Sequence, residues 1–326
     1  MAGEIVKIDI DREIELAMAY AENSLAENTK ISYQSQWNIF KDWCAVRGVS
    51  YVPADPKTCA AFFSYMAEDG KKRSTIERFK YVISKAHKVT GNEDKNPISS
   101  EFVKETLAGI WRKIGSEQDR VDPISEEAAK KIADMFLGKS IVHLRNRMII
   151  LVGWLSASRR SELVGMLRKN IKFTEDGVLI KIERSKTDKE GKGIVKAIRR
   201  RGDDYCAVKA IADWLILSPE SKYLLCHVDD GVLKGTAKPG QQMSDKMIAR
   251  LVAKWCEEVG EIGRFAGHSL RSGFVTAAVR AGRSDRSIMR VTGHKTHEMI
   301  DVYTRIANPF EENASDGLLS SDKSEK

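Results

Sequence analysis

Helical periodicity dominates the first third of the chain. After Asn28 the apolar residues Tyr33, Trp37, Phe40 and Cys44 recur at i, i+4, i+7 and i+11, which gathers them on one face of a helix that Gly48 is placed to stop. Asp55 followed by Pro56 is a start signal, because a side-chain acceptor precedes a residue whose fixed φ suits the first helical turn. The helix it opens carries the stripe Cys59, Phe62, Phe63 and Met66 and ends at Gly70. A third helix is predicted from Ser74, with Glu77 at capping-box spacing and Phe79, Val82, Ile83 and Ala86 on its buried side. Its other side is basic: Arg78, Tyr81, Lys85 and Lys88 align there, and Lys71, Lys72 and Arg73 stand at its entrance.

The pattern lapses between Lys113 and Pro123 into the polar run Ser116-Glu117-Gln118-Asp119-Arg120. We therefore place a linker at 116–123, between a helical domain at 1–115 and a second domain at 124–326. Helical signals resume at Ser125. The longest apolar run, Met148 to Leu155, falls far short of the roughly 20 residues that span a bilayer and reads as a buried helix segment. Strand signals follow at Val178 to Glu183 and, after Gly191 and Gly193, at Ile194 to Ile198. Together they predict a hairpin with Lys186 at its loop end. Past Ser244, the residues Met247, Ile248, Leu251, Val252 and Trp255 make another amphipathic helix, with Lys246 and Arg250 outside it. The predicted fold is mainly α: a helical amino-terminal domain, then an α-rich domain with one small antiparallel β-sheet.

Composition narrows the class. The 326 residues suffice for two domains, each with its own core, and 42% hydrophobic with 31% charged residues excludes a disordered or fibrous chain. The amino terminus is acidic and has no apolar stretch of the secretory kind, so a cytoplasmic protein is expected. Cys44, Cys59, Cys206, Cys226 and Cys256 are odd in number and widely spaced, which fits core positions in a reducing compartment and no zinc site. Charge adds a partner class. The chain carries +8, and ahead of Pro309 there are 52 basic against 41 acidic residues, a net +11. A basic body suggests a polyanion.

Candidate chemistry lies in scattered pieces of the second domain. Arg159 stands in Arg-Arg-Ser-Glu-Leu with Glu162 three residues on, and Lys186 in Ser-Lys-Thr-Asp. His268 and Arg271 stand in Gly-His-Ser-Leu-Arg, and His294 in Gly-His-Lys-Thr, nine residues before Tyr303. His294 and His297 could share a helix face, but no carboxylate or cysteine set is evident to complete a metal shell. No metal or other cofactor is expected.

In this order the pieces resemble the active-site signature of the tyrosine recombinase (phage integrase) family: Arg, Lys, His-x-x-Arg, His or Trp, Tyr. The resemblance extends to the amino-terminal side, where the Asn28-Thr29 helix, Trp43-Cys44 and the Pro53-Ala54-Asp55-Pro56 turn look like the Cre-type branch. One departure is visible. The family usually has Gly-Leu-Arg or a close variant before Ser-Glu-Leu, whereas Ser156-Ala157-Ser158 precedes two arginines here. Arg159 keeps the family's register to Glu162, and Arg160 is the alternative.

The resemblance implies a site-specific recombinase that clamps DNA between its domains and cuts it through a covalent 3′-phosphotyrosyl intermediate. Tyr303 would be the nucleophile, His268 its proton acceptor, and Arg159 and Arg271 the forked donors to the phosphate. His294 would add a hydrogen bond, Lys186 would protonate the leaving 5′ oxygen, and Glu162 would support Arg159. The implied partner is double-stranded DNA with an inverted-repeat site, bound by a dimer per site and a tetramer in synapsis. Its contacts are expected from Thr29, Ser32, Lys71, Lys72, Arg73, Ser74, Arg78, Lys85, Lys246 and Arg250. The residues after Tyr303, with Phe310, Leu318 and Leu319, would dock on a neighbouring subunit. A type IB topoisomerase-like enzyme and a non-catalytic DNA-binding protein remain alternatives at this point.

Overall fold

The computed structural model describes residues 27–115, 121–138, 140–183, 193–228, 238–294 and 296–307. The chain is mostly helical with one three-stranded antiparallel sheet, and it separates into two compact units, Met1–Asp119 and Arg120–Lys326. The expected linker residues 116–120, the loop bearing Lys186 and the segment after 307 lie outside the described residues.

The first unit is built from α1 (Glu27–Val46), α2 (Pro56–Glu68), α3 (Arg73–Val89) and α4 (Glu101–Ile114). Asp55 caps α2 as its position predicts, its carboxylate accepting the Lys57 N–H at 2.8 Å. The predicted stripes of α1, α2 and α3 meet in one core of Phe40, Cys44, Phe62, Phe63, Phe79 and Ile83, and α4 closes it with Val103 and Leu107. Phe62 lies at its centre, with ring centroids 5.0 Å from Phe40 and 5.3 Å from Phe79; each such fully buried ring contributes about 1.5 to 3 kcal/mol. His87 ties the far end together. Its Nε2 accepts the Ala54 N–H at 2.9 Å while Nδ1 donates to the Ile83 carbonyl at 2.8 Å, a pairing that requires the neutral ring. The capping box expected at Ser74 and Glu77 does not form. Here α3 starts two residues earlier than that box requires, Lys72 supplies the extended N-cap, and Ser74 already sits inside the first turn where its hydroxyl cannot cap.

In the second unit, α5 (Glu126–Asp134) is capped by the Ser125 hydroxyl, and α6 (Ile141–Leu155) carries the long apolar run through the centre of the core. Packed on α6 are α5, α8 (Ala207–Leu217) and α10 (Ser269–Arg280). Gly273 lets α10 press on the chain at Ile124, since a Cβ there would run into the Ile124 carbonyl. The sheet has the order β1 (Ile171–Phe173), β2 (Gly177–Ile182), β3 (Ile194–Arg199). Strands β2 and β3 form the predicted hairpin, with Val178 opposite Ile198 and Ile180 opposite Lys196. Strand β1 was not predicted, because three residues are too few to show an alternation.

The unit also contains α9 (Asp245–Glu258), capped by Ser244 at 3.1 Å, α11 (Asp285–Thr292) and α12 (Glu298–Ala307). Val275, Ile288 and Ile300 bind α10, α11 and α12 into a small separate core. All five cysteines are buried free thiols, and no described helix is long and apolar enough to cross a membrane.

Candidate active site

The site is assembled where α6 ends. Ser156, Ala157 and Ser158 make a tight turn in which Ala157 adopts φ 47°, a left-handed conformation rare for any residue with a Cβ, and the two serine hydroxyls meet at 2.7 Å. The turn delivers Arg159 as the extended N-cap of the short helix α7 (Arg160–Val164). Three residues on, Glu162 reaches back, as the N3 position of a helix allows. Its buried carboxylate accepts the Arg159 N–H at 3.0 Å and the Arg159 guanidinium at 2.5 Å. Arg160 takes a different course: its stem lies over Gly267 and its guanidinium reaches Asp245 at 4.0 Å.

His268 and Arg271 come from the first turn of α10, where a separation of three puts them on one face. Arg271 is 1% exposed, and its Nη1 donates to the Ala157 carbonyl at 2.8 Å and the Thr292 carbonyl at 2.7 Å. It thereby fastens the turn before Arg159 to the end of α11. Burial, with Arg159 beside it, lowers its pKa to about 10, so it stays a cation at neutral pH. Gly293 ends α11 in the left-handed conformation, φ 71°, and turns the chain so that the next residue, His294, points into the site. Burial and the cations Arg271 and Arg159 push His294 down to about 3, which keeps its ring neutral.

Tyr303 closes the constellation from α12. Its hydroxyl lies 3.5 Å from His268 Nε2, and its ring runs nearly parallel to that of His294, 17° between planes and 6.4 Å between centroids. His268 keeps one side open to solvent, yet the protein packed beneath it and the guanidiniums of Arg271, Arg159 and Arg160 hold its pKa below the usual imidazole value. A neutral imidazole beside a phenol is a proton acceptor. Two buried polar atoms at the centre, Arg271 Nη2 and His294 Nδ1, have no partner among the described residues. A buried guanidinium N–H left unpaired is costly, so such a group is suited to take up an anion.

Five of the six catalytic candidates therefore converge with Glu162; the sixth, Lys186, lies outside the described residues. One participant was missed. Lys196 on β3 is 1% exposed, and its ammonium donates to the Val291 carbonyl at 2.6 Å and lies 3.9 Å from Glu162. The signal was available, since the alternation Ile194, Lys196, Ile198 assigns a lysine to the inward face of its strand. Among the described residues no three His, Cys, Asp or Glu side chains gather as a metal shell, and His297 instead pairs with Asp285 at 2.9 Å.

The candidate DNA contacts are divided between the two units. Thr29 and Ser32 are half-buried on α1, whereas Lys71, Lys72, Arg73, Ser74 and Arg78 are exposed around the start of α3. Lys71 pairs with Asp69, Arg73 lies over the Trp111 ring and Lys85 over the Tyr33 ring, and Arg78 folds back onto the Ser74 carbonyl. Lys246 and Arg250 project together from the solvent side of α9.

Residues 123–309 match the model of the phage integrase family. An integrase/recombinase described as a XerD homologue, from Selenomonas ruminantium, is 33% identical over 90% of this chain and 86% of its own length. The Cre recombinase of Escherichia phage P1 is 23% identical over 81% of this chain and 79% of its own. Among solved structures, a lambda integrase dimer bound to a COC′ core site superposes with a TM-score of 0.61 at 17% identity, covering 97% of both chains. The Tn1549 transposon integrase in complex with a circular intermediate DNA gives 0.60 at 16% identity, over 89% of this chain and 93% of the other. These last two likenesses establish the fold.

Proposed function

Because the chain belongs to the phage integrase family of tyrosine recombinases, we propose that it breaks and exchanges DNA strands at an inverted-repeat site through a covalent Tyr303 intermediate. The observation that carries the reading is the Tyr303 hydroxyl 3.5 Å from His268 Nε2, in a site that also gathers Arg159, Arg271 and His294 and leaves Arg271 Nη2 and His294 Nδ1 buried without a partner among the described residues.

The chemistry follows from these positions. Tyr303 Oη attacks the scissile phosphorus while its proton passes to the neutral His268 Nε2. Negative charge grows on the non-bridging oxygens, where the guanidiniums of Arg271 and Arg159 and the His294 ring donate hydrogen bonds. The bond from phosphorus to the 5′ oxygen breaks, and Lys186 supplies that oxygen with a proton. The 3′-phosphotyrosyl ester retains the energy of the broken bond, so a 5′ hydroxyl from a second duplex reverses the steps and joins the strands. Two paired sites, four subunits and a Holliday junction would accommodate the exchange, with residues 308–326 docked between neighbours. In the first unit the α3 entrance, and in the second Lys246 and Arg250, would contact the duplex, phosphate contacts setting position and helix residues in the major groove setting sequence.

The test begins with selection of bound sequences from a random duplex pool, in which an inverted repeat is the expected outcome. On a nicked duplex of that sequence the wild-type protein should form a covalent adduct. Tyr303→Phe should bind with unchanged affinity and form none; adduct at wild-type levels in that variant refutes the assignment.

A further inference from the structure

A lysine on the inward face of a strand is out of place unless something holds it. Strand β3 would be packed as well by methionine or leucine at position 196, since its inward neighbour Ile198 and the facing Ile180 are buried and apolar. Instead the Lys196 ammonium is withdrawn from water between three parts of the active site. From α7 comes the Glu162 carboxylate, 3.9 Å away, which also holds the Arg159 backbone and guanidinium. From the end of α11 comes the Val291 carbonyl at 2.6 Å, three residues before His294. The charges of Arg271 on α10 and of Arg159 oppose it. Burial and these cations lower its pKa to about 8, so the charged form is held at a cost to stability. The ammonium therefore joins the Glu162 carboxylate to the Val291 carbonyl, one on each flank of the active site.

We propose that Lys196 is a positioning residue that locks the Arg159–Glu162 pair to the Val291–His294 segment, so that the two flanks of the phosphate site keep their spacing. The proposal rests on the recombinase reading for its consequence, but not for its geometry. Thr292 and Val291 offer adjacent carbonyls; Arg271 holds the first and Lys196 the second. Without Lys196 the Val291 carbonyl loses the ammonium it accepts from and Glu162 loses a neighbouring cation, leaving both flanks free to shift. Displacements of about 1 Å at such groups cost on the order of 10²-fold in rate.

The variant Lys196→Met, which keeps an unbranched side chain only one atom shorter and removes the charge, tests this in the full chain. Hydrogen exchange at the amides of 291–294 should quicken in the variant with the melting temperature unchanged or raised. Single-turnover adduct formation on the nicked duplex should fall about 10²-fold with DNA affinity unchanged. A substrate with a 5′-bridging sulfur, which needs no proton on the leaving group, should leave that deficit in place. Unaltered exchange or an unaltered rate overturns the proposal. Rescue by sulfur overturns it too, because Lys196 would then be the proton donor, and so does loss of the folded state, which would make the lysine structural. If the wild-type protein forms no adduct on any DNA, the recombinase reading fails, and the exchange comparison still decides whether Lys196 locks the two segments.

Discussion

The buried ammonium of Lys196 should give the protein a stability that rises in mild alkali. Its usual value of 10.5 is the one that applies in the unfolded chain, against about 8 in the folded one. Below pH 8 the group is protonated in both states, and the whole cost of burying the charge is carried by the folded protein. As pH climbs through 8 the folded chain releases the proton while the unfolded chain retains it until 10.5. The unfolded state then binds more protons, and stability increases with pH. At about 1.4 kcal/mol for each pH unit between the two values, the gain is complete near pH 10.5 at about 3 kcal/mol, with about 2 kcal/mol of it already present at pH 9.5. Equilibrium urea unfolding of the wild-type protein and Lys196→Met, measured in parallel from pH 7 to 9.5, reads this contribution because titrating groups remote from Lys196 cancel in the difference. The wild-type curve should rise relative to that of the variant by about 2 kcal/mol over the interval. Parallel curves would show that the ammonium is not desolvated as its contacts with Glu162 and Val291 require, and a relative fall would reverse the sign of the argument.

Three other outcomes are expected. Arg159→Lys should lose roughly 10²-fold or more in adduct formation, because a point ammonium cannot reproduce a forked contact, while Arg160→Lys stays within a few-fold; the opposite ranking would move the register by one residue. Lys186→Ala should be slow on ordinary DNA and recover on a 5′-bridging sulfur substrate, and failure to recover would place the leaving-group proton elsewhere. At Ala157, glycine relieves roughly 1 to 2 kcal/mol of left-handed backbone cost but gives up a buried methyl and adds unfolded-state freedom, so Ala157→Gly should change thermal stability by less than about 1 kcal/mol. Valine at the same φ of 47° should destabilise by about 3 kcal/mol, from a β-branched side chain in a forbidden region and an overfilled core; equal melting temperatures for the two variants would show the turn is unstrained.

What the sequence determined alone was whatever local spacing encodes. The stripe of Cys59, Phe62, Phe63 and Met66, the Asp55 and Ser244 caps and the β2–β3 hairpin are all written in neighbours a few residues apart, where helix and strand periods act directly. The family resemblance could be read for the same reason, as short motifs in a fixed order. Ser74 shows the limit of that code. Its spacing to Glu77 satisfied a capping box, but the packing of α3 set the start of the helix at Arg73.

Tertiary structure decided the rest. Nothing local brings residues 159, 268, 294 and 303 together; that requires α10 to dock on α6, where Leu270 packs on Gly153, and α12 to pack on α10 through Val275 and Ile300. Charge states followed the same route. The depressed values of His294 and Lys196 come from burial and from arginines distant in sequence, and the left-handed turn at Ala157 is held by a carbonyl contact to Arg271, 114 residues away. Interactions of that range are paid for by the cooperative burial of two cores, so they exist only once the whole second unit has folded.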